Sequence, residues 1–206
     1  MILEGVSVGA MEVNCYILAS KDKSSAIIID PGDEFHKINE IVEKHNLSPK
    51  IVINTHGHYD HIGCDDKFSV PVYVHKDDIP LLRDPRLNLS ALFGISYSVK
   101  SEIKPLEDND TIELEEIHLK VIHVPGHTPG GIALFMDGPQ DKIVFTGDTL
   151  FFQGVGRSDL NGGNEGLLTS SIRNKLFILP EETVILPGHG LSSTIGQEKR
   201  DNPFLI

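Results

Sequence analysis

The sequence has few of the features that mark disulfide-rich, exported or membrane-spanning proteins. Its only cysteines are Cys15 and Cys64, too few for a disulfide framework, so we expect both thiols to be reduced and buried. No apolar run approaches the roughly 18 residues that a bilayer-spanning helix needs. The N-terminal residues also lack the basic and apolar segments of a signal peptide. We therefore expect a cytoplasmic protein without a membrane partner.

Basic residues are also scarce. The chain has 18 lysines and arginines against 30 aspartates and glutamates, which gives a formal net charge of −12 at pH 7. Such a surface repels a phosphate backbone, so we expect no nucleic-acid partner and disfavour a nuclease. The apolar fraction of 39% is that of an ordinary globular protein, and 206 residues fit a single domain over 1–206.

Short apolar runs rich in β-branched residues recur along the chain, and each ends on a histidine or an aspartate. Consecutive apolar positions favour strands that are buried on both faces. If these strands lie side by side in sheets, their ends bring residues from distant parts of the chain to one edge. The runs are AIIID ending at Asp30, IVINTH at His56, VIHVPGH at His127, IVFTGD at Asp148 and VILPGH at His189.

The remaining patterns predict helices between hairpin-rich groups of strands. One helix follows Asp33 as a plausible N-cap, and a second covers NEGLLTSSIRNKLFIL before Pro180. Two such halves indicate an α+β fold, an αββα sandwich in which two mixed β-sheets face each other with helices outside. Strands are predicted at residues 2–8, 13–19, 25–29, 110–114, 117–124, 131–136 and 142–146.

The stretch NTHGHYDHIG carries four polar side chains within six positions. His56 and His58 are two residues apart, so in an extended segment they point the same way. Asp60 and His61 then fall near the start of a short helix, on a different heading. The cluster therefore has two arms, one for each of two metal ions.

A count of ligands completes the predicted site. Neutral imidazole and carboxylate suit zinc, iron or manganese, and a catalytic ion needs about three protein ligands and an open position. Each arm lacks one ligand, and the strand ends supply His127 and His189, with Asp148 able to bridge both ions. The other histidines are predicted to lie on the surface or in packing contacts: His36, His45, His75, His118 and His123.

These motifs resemble the metallo-β-lactamase fold. THGHYDHIG, PGHTPGG, FTGDTLF and PGHG occur in the family's order, from IIIDPGD to TIGQEKRDNPF, and the resemblance is nearest to the glyoxalase II group, the hydroxyacylglutathione hydrolases. It implies an αββα sandwich with the site at one edge, and it implies that Asp30 supports a ligand histidine. The implied ligands are His56, His58 and His127 for the first metal, Asp60, His61 and His189 for the second, and Asp148 as the bridge.

The function that follows is hydrolysis of a thiolester of the hydroxyacylglutathione type. Two divalent ions, zinc as the first expectation and iron or manganese as alternatives, would share a water and lower its pKa towards 7. The hydroxide would attack the carbonyl carbon, and a thiolate leaves without a strong general acid. Asp60 and Asp148 are the predicted catalytic carboxylates.

The residues that choose the substrate are less clearly marked. The chain has room for little of the C-terminal helical region with which full-length glyoxalase II holds glutathione. Lys199 and Arg200 could meet a substrate carboxylate or form an ordinary solvated pair. Arg157 could contact substrate or pair with Asp159 inside its loop.

An aromatic segment at residues 87–98 is a further candidate for the substrate cleft. Phe93 or Tyr97 could line the cleft, although packing onto the core is the simpler interpretation.

Several other activities fit the same motifs. The first alternative is a mononuclear iron persulfide dioxygenase of the same fold, whose ligands of two histidines and an aspartate this chain also contains. A lactonase or other ester hydrolase comes next, while a secreted β-lactamase is disfavoured by the missing export signal. A metal-binding module without activity is disfavoured because all seven ligand types are intact.

Overall fold

The structure is a computed structural model that describes residues 1–20, 24–138 and 142–205. Its first sheet has six strands in sequence order: β1 Ile2–Val8, β2 Val13–Ala19, β3 Ser25–Ile29, β4 Ser48–Ile53, β5 Val72–His75 and β6 Ile103–Leu106. Strands β1 to β3 pair antiparallel, and β3 to β6 pair parallel.

The second sheet has six strands as well. Its strands are β7 Thr111–Leu114, β8 Ile117–His123, β9 Ile132–Asp137, β10 Lys142–Gly147, β13 Val184–Pro187 and β14 Ser193–Thr194, and a separate pair consists of β11 Leu150–Phe151 and β12 Gly154–Val155. The spatial order is β14-β13-β10-β9-β8-β7. Within the described part of this sheet only β10 and β13 pair parallel, so this sheet is mixed too.

Short helices connect the strands. They are α1 Phe35–Lys44, α2 Tyr59–Ile62, α3 Ile79–Arg83, α4 Glu165–Ser171 and α5 Ile195–Asp201. A π-helical turn over Ile172–Leu176 continues α4, and 3₁₀ turns cover Asp65–Lys67, Lys76–Asp78 and Ser90–Phe93. Among the described residues, none of these helices has the length and apolar character needed to span a bilayer.

Strands β2, β3 and β10 are buried on both faces, as their consecutive apolar residues predict, whereas β1, β7 and β8 have exposed positions. In β2, Tyr16 and Leu18 face the other sheet and pack with residues such as Phe145. Their neighbours, Ile17 among them, face outward and pack with Ile38 of α1. The second sheet is covered likewise on its outer face by α4 and α5. This confirms the predicted sandwich of two mixed sheets with helices outside.

The start of α1 differs from the prediction. Asp33 is not the N-cap; the helix begins at Phe35, and Glu34 precedes it at φ 45° without a side-chain cap among the described residues. The Asp33 carboxylate instead accepts from the Glu34 N–H at 2.6 Å. Glu34 in turn accepts from the Gly9 N–H at 2.9 Å, so a contact with the β1–β2 turn determines how the chain enters the helix.

Candidate metal centre

The structure brings all seven predicted ligands together where strands of both sheets end. His56 and His58 lie in the loop after β4. Asp60 and His61 lie in α2, the short helix that the sequence predicts. Three overlapping groups have candidate ligand atoms within 4.8 Å of one another: His56, His58 and His127; His56, His61 and Asp148; and Asp60, His61 and His189. Their role as metal ligands stays a prediction that this convergence supports.

Buried atoms in these groups lack partners among the described residues. His56 Nε2, His61 Nε2 and Asp148 Oδ1 have no hydrogen-bond partner there, although an unpaired buried polar atom costs about 1–3 kcal/mol. His56 and His61 are almost completely buried. Imidazole nitrogens and a carboxylate oxygen left in this way fit a zinc, iron or manganese ion.

Backbone carbonyls hold two of the rings from behind. His127 Nδ1 donates to the carbonyl oxygen of Arg157 at 2.7 Å, and His189 Nδ1 donates to that of Met11 at 2.9 Å. A ring whose Nδ1 is held by a carbonyl oxygen turns its Nε2 to the opposite side, where that nitrogen can bind a metal. Both rings therefore present Nε2 to the centre.

Asp30 lies behind the ring of His61. Its carboxylate accepts from the backbone N–H and from the hydroxyl of Thr55, both at 2.7 Å. Its Oδ2 also lies 3.0 Å from His61 Nδ1. This placement supports the prediction that Asp30 orients a ligand histidine, and Asp30 itself has the left-handed φ of 51°.

His56 and His58 are prepared to bind a metal as neutral imidazoles. Burial lowers the pKa of His56 well below its ordinary value and lowers the pKa of His58 to about 3. His58 Nδ1 lies 2.9 Å from His127 Nε2. Because a metal competes with protons for these nitrogens, the low pKa values favour metal binding at neutral pH.

The histidines of the group formed by Asp60, His61 and His189 have the opposite electrostatics. Burial opposes charge on His61, but the carboxylates of Asp148 and Asp60 raise its pKa well above the ordinary value. Burial likewise opposes charge on His189, but the carboxylates of Asp148 and Asp60, each 3.5 Å from its Nε2, raise its pKa to about 9. Burial alone would raise the pKa of Asp148, yet the facing imidazoles lower it well below its usual range. The carboxylates are thus ionised and attract positive charge.

Asp148 lies between the group of His56, His58 and His127 and the group of Asp60, His61 and His189. Its Oδ1 is 3.4 Å from His61 Nε2, while its Oδ2 is 3.7 Å from His127 Nε2 and 3.5 Å from His189 Nε2. One carboxylate that faces histidines of both groups is placed to bridge two ions.

Sequence reasoning missed Asn14, which holds the turn that carries His189. Its side-chain amide donates to the carbonyls of Pro187 and Gly190 at 3.1 and 3.0 Å, and its backbone N–H donates to that of Gly188 at 2.7 Å. The available signal was an amide inside the otherwise apolar strand β2.

A cleft of about 410 Å³ opens onto the centre. Five of the candidate ligands line it, and its other wall is largely apolar. The lining includes His58, Asp60, His127, Asp148, His189, Met11, Leu89, Leu92, Phe93, Leu160 and Arg157. Leu92 and Phe93 expose 76% and 57% of their surfaces, so they form a lip around which an apolar part of a substrate could pack.

The predicted substrate contacts divide between this cleft and other places. Phe93 and Arg157 line the cleft, although Arg157 pairs with Asp159 through two contacts of 2.8 Å. The other three are not among the described residues that line it. Tyr97 packs its ring on Tyr59, Lys199 lies 4.0 Å from a glutamate, and Arg200 lies with Lys199 on α5.

A separate histidine pair lies outside this centre. The rings of His75 and His123 stack at 3.9 Å with an interplanar angle of 12°, and Asp77 lies nearby. His75 is buried, which agrees with its predicted packing role. The in-plane lone pairs of parallel rings do not converge on one point, so this pair suits a metal less well.

Comparisons with known proteins agree with this geometry. The chain is 34% identical to the hydroxyacylglutathione hydrolase GloC of Haemophilus influenzae, over 100% of this chain and 98% of that protein. Among solved structures it resembles the BLEG-1 B3 metallo-beta-lactamase, with TM-score 0.91, 37% identity and 99% of each chain covered.

Two further solved structures are similar to this chain. The di-iron-bound form of TTHA1623 has TM-score 0.84 and 34% identity, over 98% of this chain and 100% of that one. ETHE1 from Myxococcus xanthus has TM-score 0.80 and 25% identity, over 98% of this chain and 84% of that one.

The model of one family covers nearly the whole chain. It matches residues 8–189, a range that includes all seven converging ligands. The protein therefore belongs to the metallo-beta-lactamase superfamily.

Proposed function

We propose that the protein is a dinuclear metal-dependent hydrolase that cleaves a thiolester of the hydroxyacylglutathione type. The observation that carries the proposal is the position of Asp148 between two sets of three ligands. The likeness to GloC supports the substrate class, and the likeness to a di-iron structure supports two ions.

The residues present fit two ions of a borderline divalent metal, with zinc as the first candidate. Such ions would supply Lewis acidity and a water of lowered pKa. The first would be held by His56, His58 and His127, the second by Asp60, His61 and His189, and both by Asp148.

The chain's own residues would orient the reactants. The ionised Asp60 lies in the cleft wall, where it is placed to orient the attacking water and to accept its proton. Leu92 and Phe93 form the apolar lip over the same space and would exclude bulk water. Because a thiolate is a good leaving group, no strong general acid is required.

The direct experiment is hydrolysis of S-lactoylglutathione by the purified protein, followed together with its metal content. We expect turnover that is abolished, with metal binding, in His58→Ala and Asp148→Ala. His118→Ala is the matched control, because the side chain of His118 is 59% exposed and outside the centre. One bound iron without thiolesterase activity would refute the proposal.

A second candidate is an iron-dependent persulfide dioxygenase, because two histidines and an aspartate, His56, His61 and Asp148, converge closely enough to hold a single iron. Oxygen uptake with glutathione persulfide, measured on the same preparation, separates it from the hydrolase. A β-lactam belongs in the same panel because of the likeness to BLEG-1.

A further inference from the structure

Asp78 is a buried carboxylate that belongs neither to the candidate ligands nor to the described residues that line the cleft. It ends the 3₁₀ turn after β5 and precedes α3. Its exposed fraction is 0%. A buried carboxylate is costly unless hydrogen-bonded, so its partners indicate what it does.

Those partners lie in the two loops that carry the first set of ligands. Asp78 Oδ2 accepts from the Gly57 N–H at 2.9 Å and from the Thr128 hydroxyl at 2.7 Å. Asp78 Oδ1 accepts from the Gly130 N–H at 2.6 Å. Gly57 separates His56 from His58, and Thr128 follows His127 directly. One carboxylate thus joins a loop of the first sheet to a loop of the second.

Two glycines allow this close approach. A Cβ on Gly130 would lie 2.6 Å from the Asp78 nitrogen and 2.8 Å from its Cβ. A Cβ on Gly57 would lie 2.5 Å from that of Leu81. Neither Gly57 nor Gly130 has a positive φ. Glycine is needed at both positions because a larger side chain would collide with the neighbouring chain.

A neighbouring contact holds the same loop of the second sheet. The Pro129 carbonyl accepts from His123 Nε2 at 2.9 Å. Residues 128–130 are therefore each held by a side chain, with Asp78 holding the outer two.

We propose that Asp78 is a positioning residue for the first metal, because it fixes the loops of His56 and His58 and of His127 against each other before a metal binds. This inference rests on the metal centre of the proposed function. Groups that orient metal ligands typically change metal affinity by about 10–100-fold when they are mutated.

The test is Asp78→Asn, which keeps the shape but replaces one acceptor oxygen with a donor. Zinc titration against a chromophoric chelator should show first-site affinity about 10–100-fold lower than in the wild type. In the chelator-treated chain, the Gly57 and Gly130 amides should exchange hydrogen about tenfold faster, as expected for roughly one lost hydrogen bond.

Asp66→Asn is the matched control. Asp66 accepts from the Lys100 N–H at 2.9 Å and from the N–H and hydroxyl of Ser101 at 2.8 Å each, but neither partner adjoins a candidate ligand. Its zinc affinity should equal that of the wild type. Thr128→Val removes a single donor to Asp78 and takes the place of Asp78→Asn in the titration if that variant fails to fold. Its loss of zinc affinity should be smaller but in the same direction.

Two results would overturn the inference. One is either unchanged zinc affinity or unchanged exchange at Gly57 and Gly130 in Asp78→Asn. The other is an equal affinity loss in Asp66→Asn, which would make the effect one of general stability. If the wild type binds no zinc, the proposed function fails separately, and unchanged hydrogen exchange would still refute the positioning role.

Discussion

Gly188→Ala should drive a methyl group into the centre of the candidate site. Gly188 precedes His189, and a Cβ built on it would lie 2.4 Å from Asp148 Oδ1 and 2.8 Å from His61 Cε1. Ordinary contact begins near 3.4 Å, so the carboxylate oxygen must move by about 1 Å. Catalytic groups tolerate displacements of about 0.5 Å, and a 1 Å misplacement can cost about 100-fold in rate.

Two measurements follow from this displacement. Turnover and zinc affinity should both fall, turnover by about 100-fold. The free energy of unfolding of the chelator-treated protein should fall by about 1–3 kcal/mol, the usual cost of overpacking. For a chain of this size each kcal/mol lowers the melting temperature by about 2–4 °C, which calorimetry can resolve.

Gly190→Ala is the matched control in the same turn. Gly190 has φ +75°, but no described heavy atom lies within 4 Å of the Cβ that would be added. Its backbone strain should cost about 1–2 kcal/mol without displacing Asp148. If Gly188→Ala keeps the turnover of Gly190→Ala, the close packing of this turn on the centre is not required for activity.

Two further predictions concern stability and thiol chemistry. Asn14→Ala removes both side-chain hydrogen bonds to the turn of His189 and should lower the free energy of unfolding in urea by about 1–3 kcal/mol; Asn39→Ala, whose amide meets only an exposed glutamate among its described partners, should change it by less than about 0.5 kcal/mol. Burial raises the pKa of Cys64 to about 11, so at pH 8 roughly one thiol in a thousand is ionised and iodoacetamide should label it far more slowly in the native than in the denatured protein. The pKa of Cys64 is higher in the folded protein than its ordinary value of 9.0. The thiol's contribution to the free energy of unfolding is therefore complete below pH 9.0 and declines as the pH rises towards 11. Rapid labelling of native Cys64 at pH 8 would contradict this burial.

The architecture and the ligand set could be predicted because their signals are local in sequence. Strands such as β2 and β3 are buried on both faces and so read as unbroken apolar runs. The histidines and aspartates follow those strands directly, and the ligand chemistry limits how they can be combined.

The positioning contacts could not be predicted because they join distant parts of the chain. Asp78 meets Gly130 across 52 residues, and Asn14 meets Pro187 across 173 residues. The error at Asp33 has the same origin, since the Glu34 carboxylate accepts from the distant Gly9 N–H as well as from Lys37 of its own helix. Lys199 was a candidate only by its position near the C-terminus, and its side chain lies near Glu181.

Anomalous diffraction from zinc-grown crystals tests the central claim, that this fold builds a two-metal centre. Two peaks are predicted, one bordered by His56, His58 and His127, the other by Asp60, His61 and His189, with Asp148 between them. A single peak, or zinc at the His75–His123 pair with none at this centre, would contradict it.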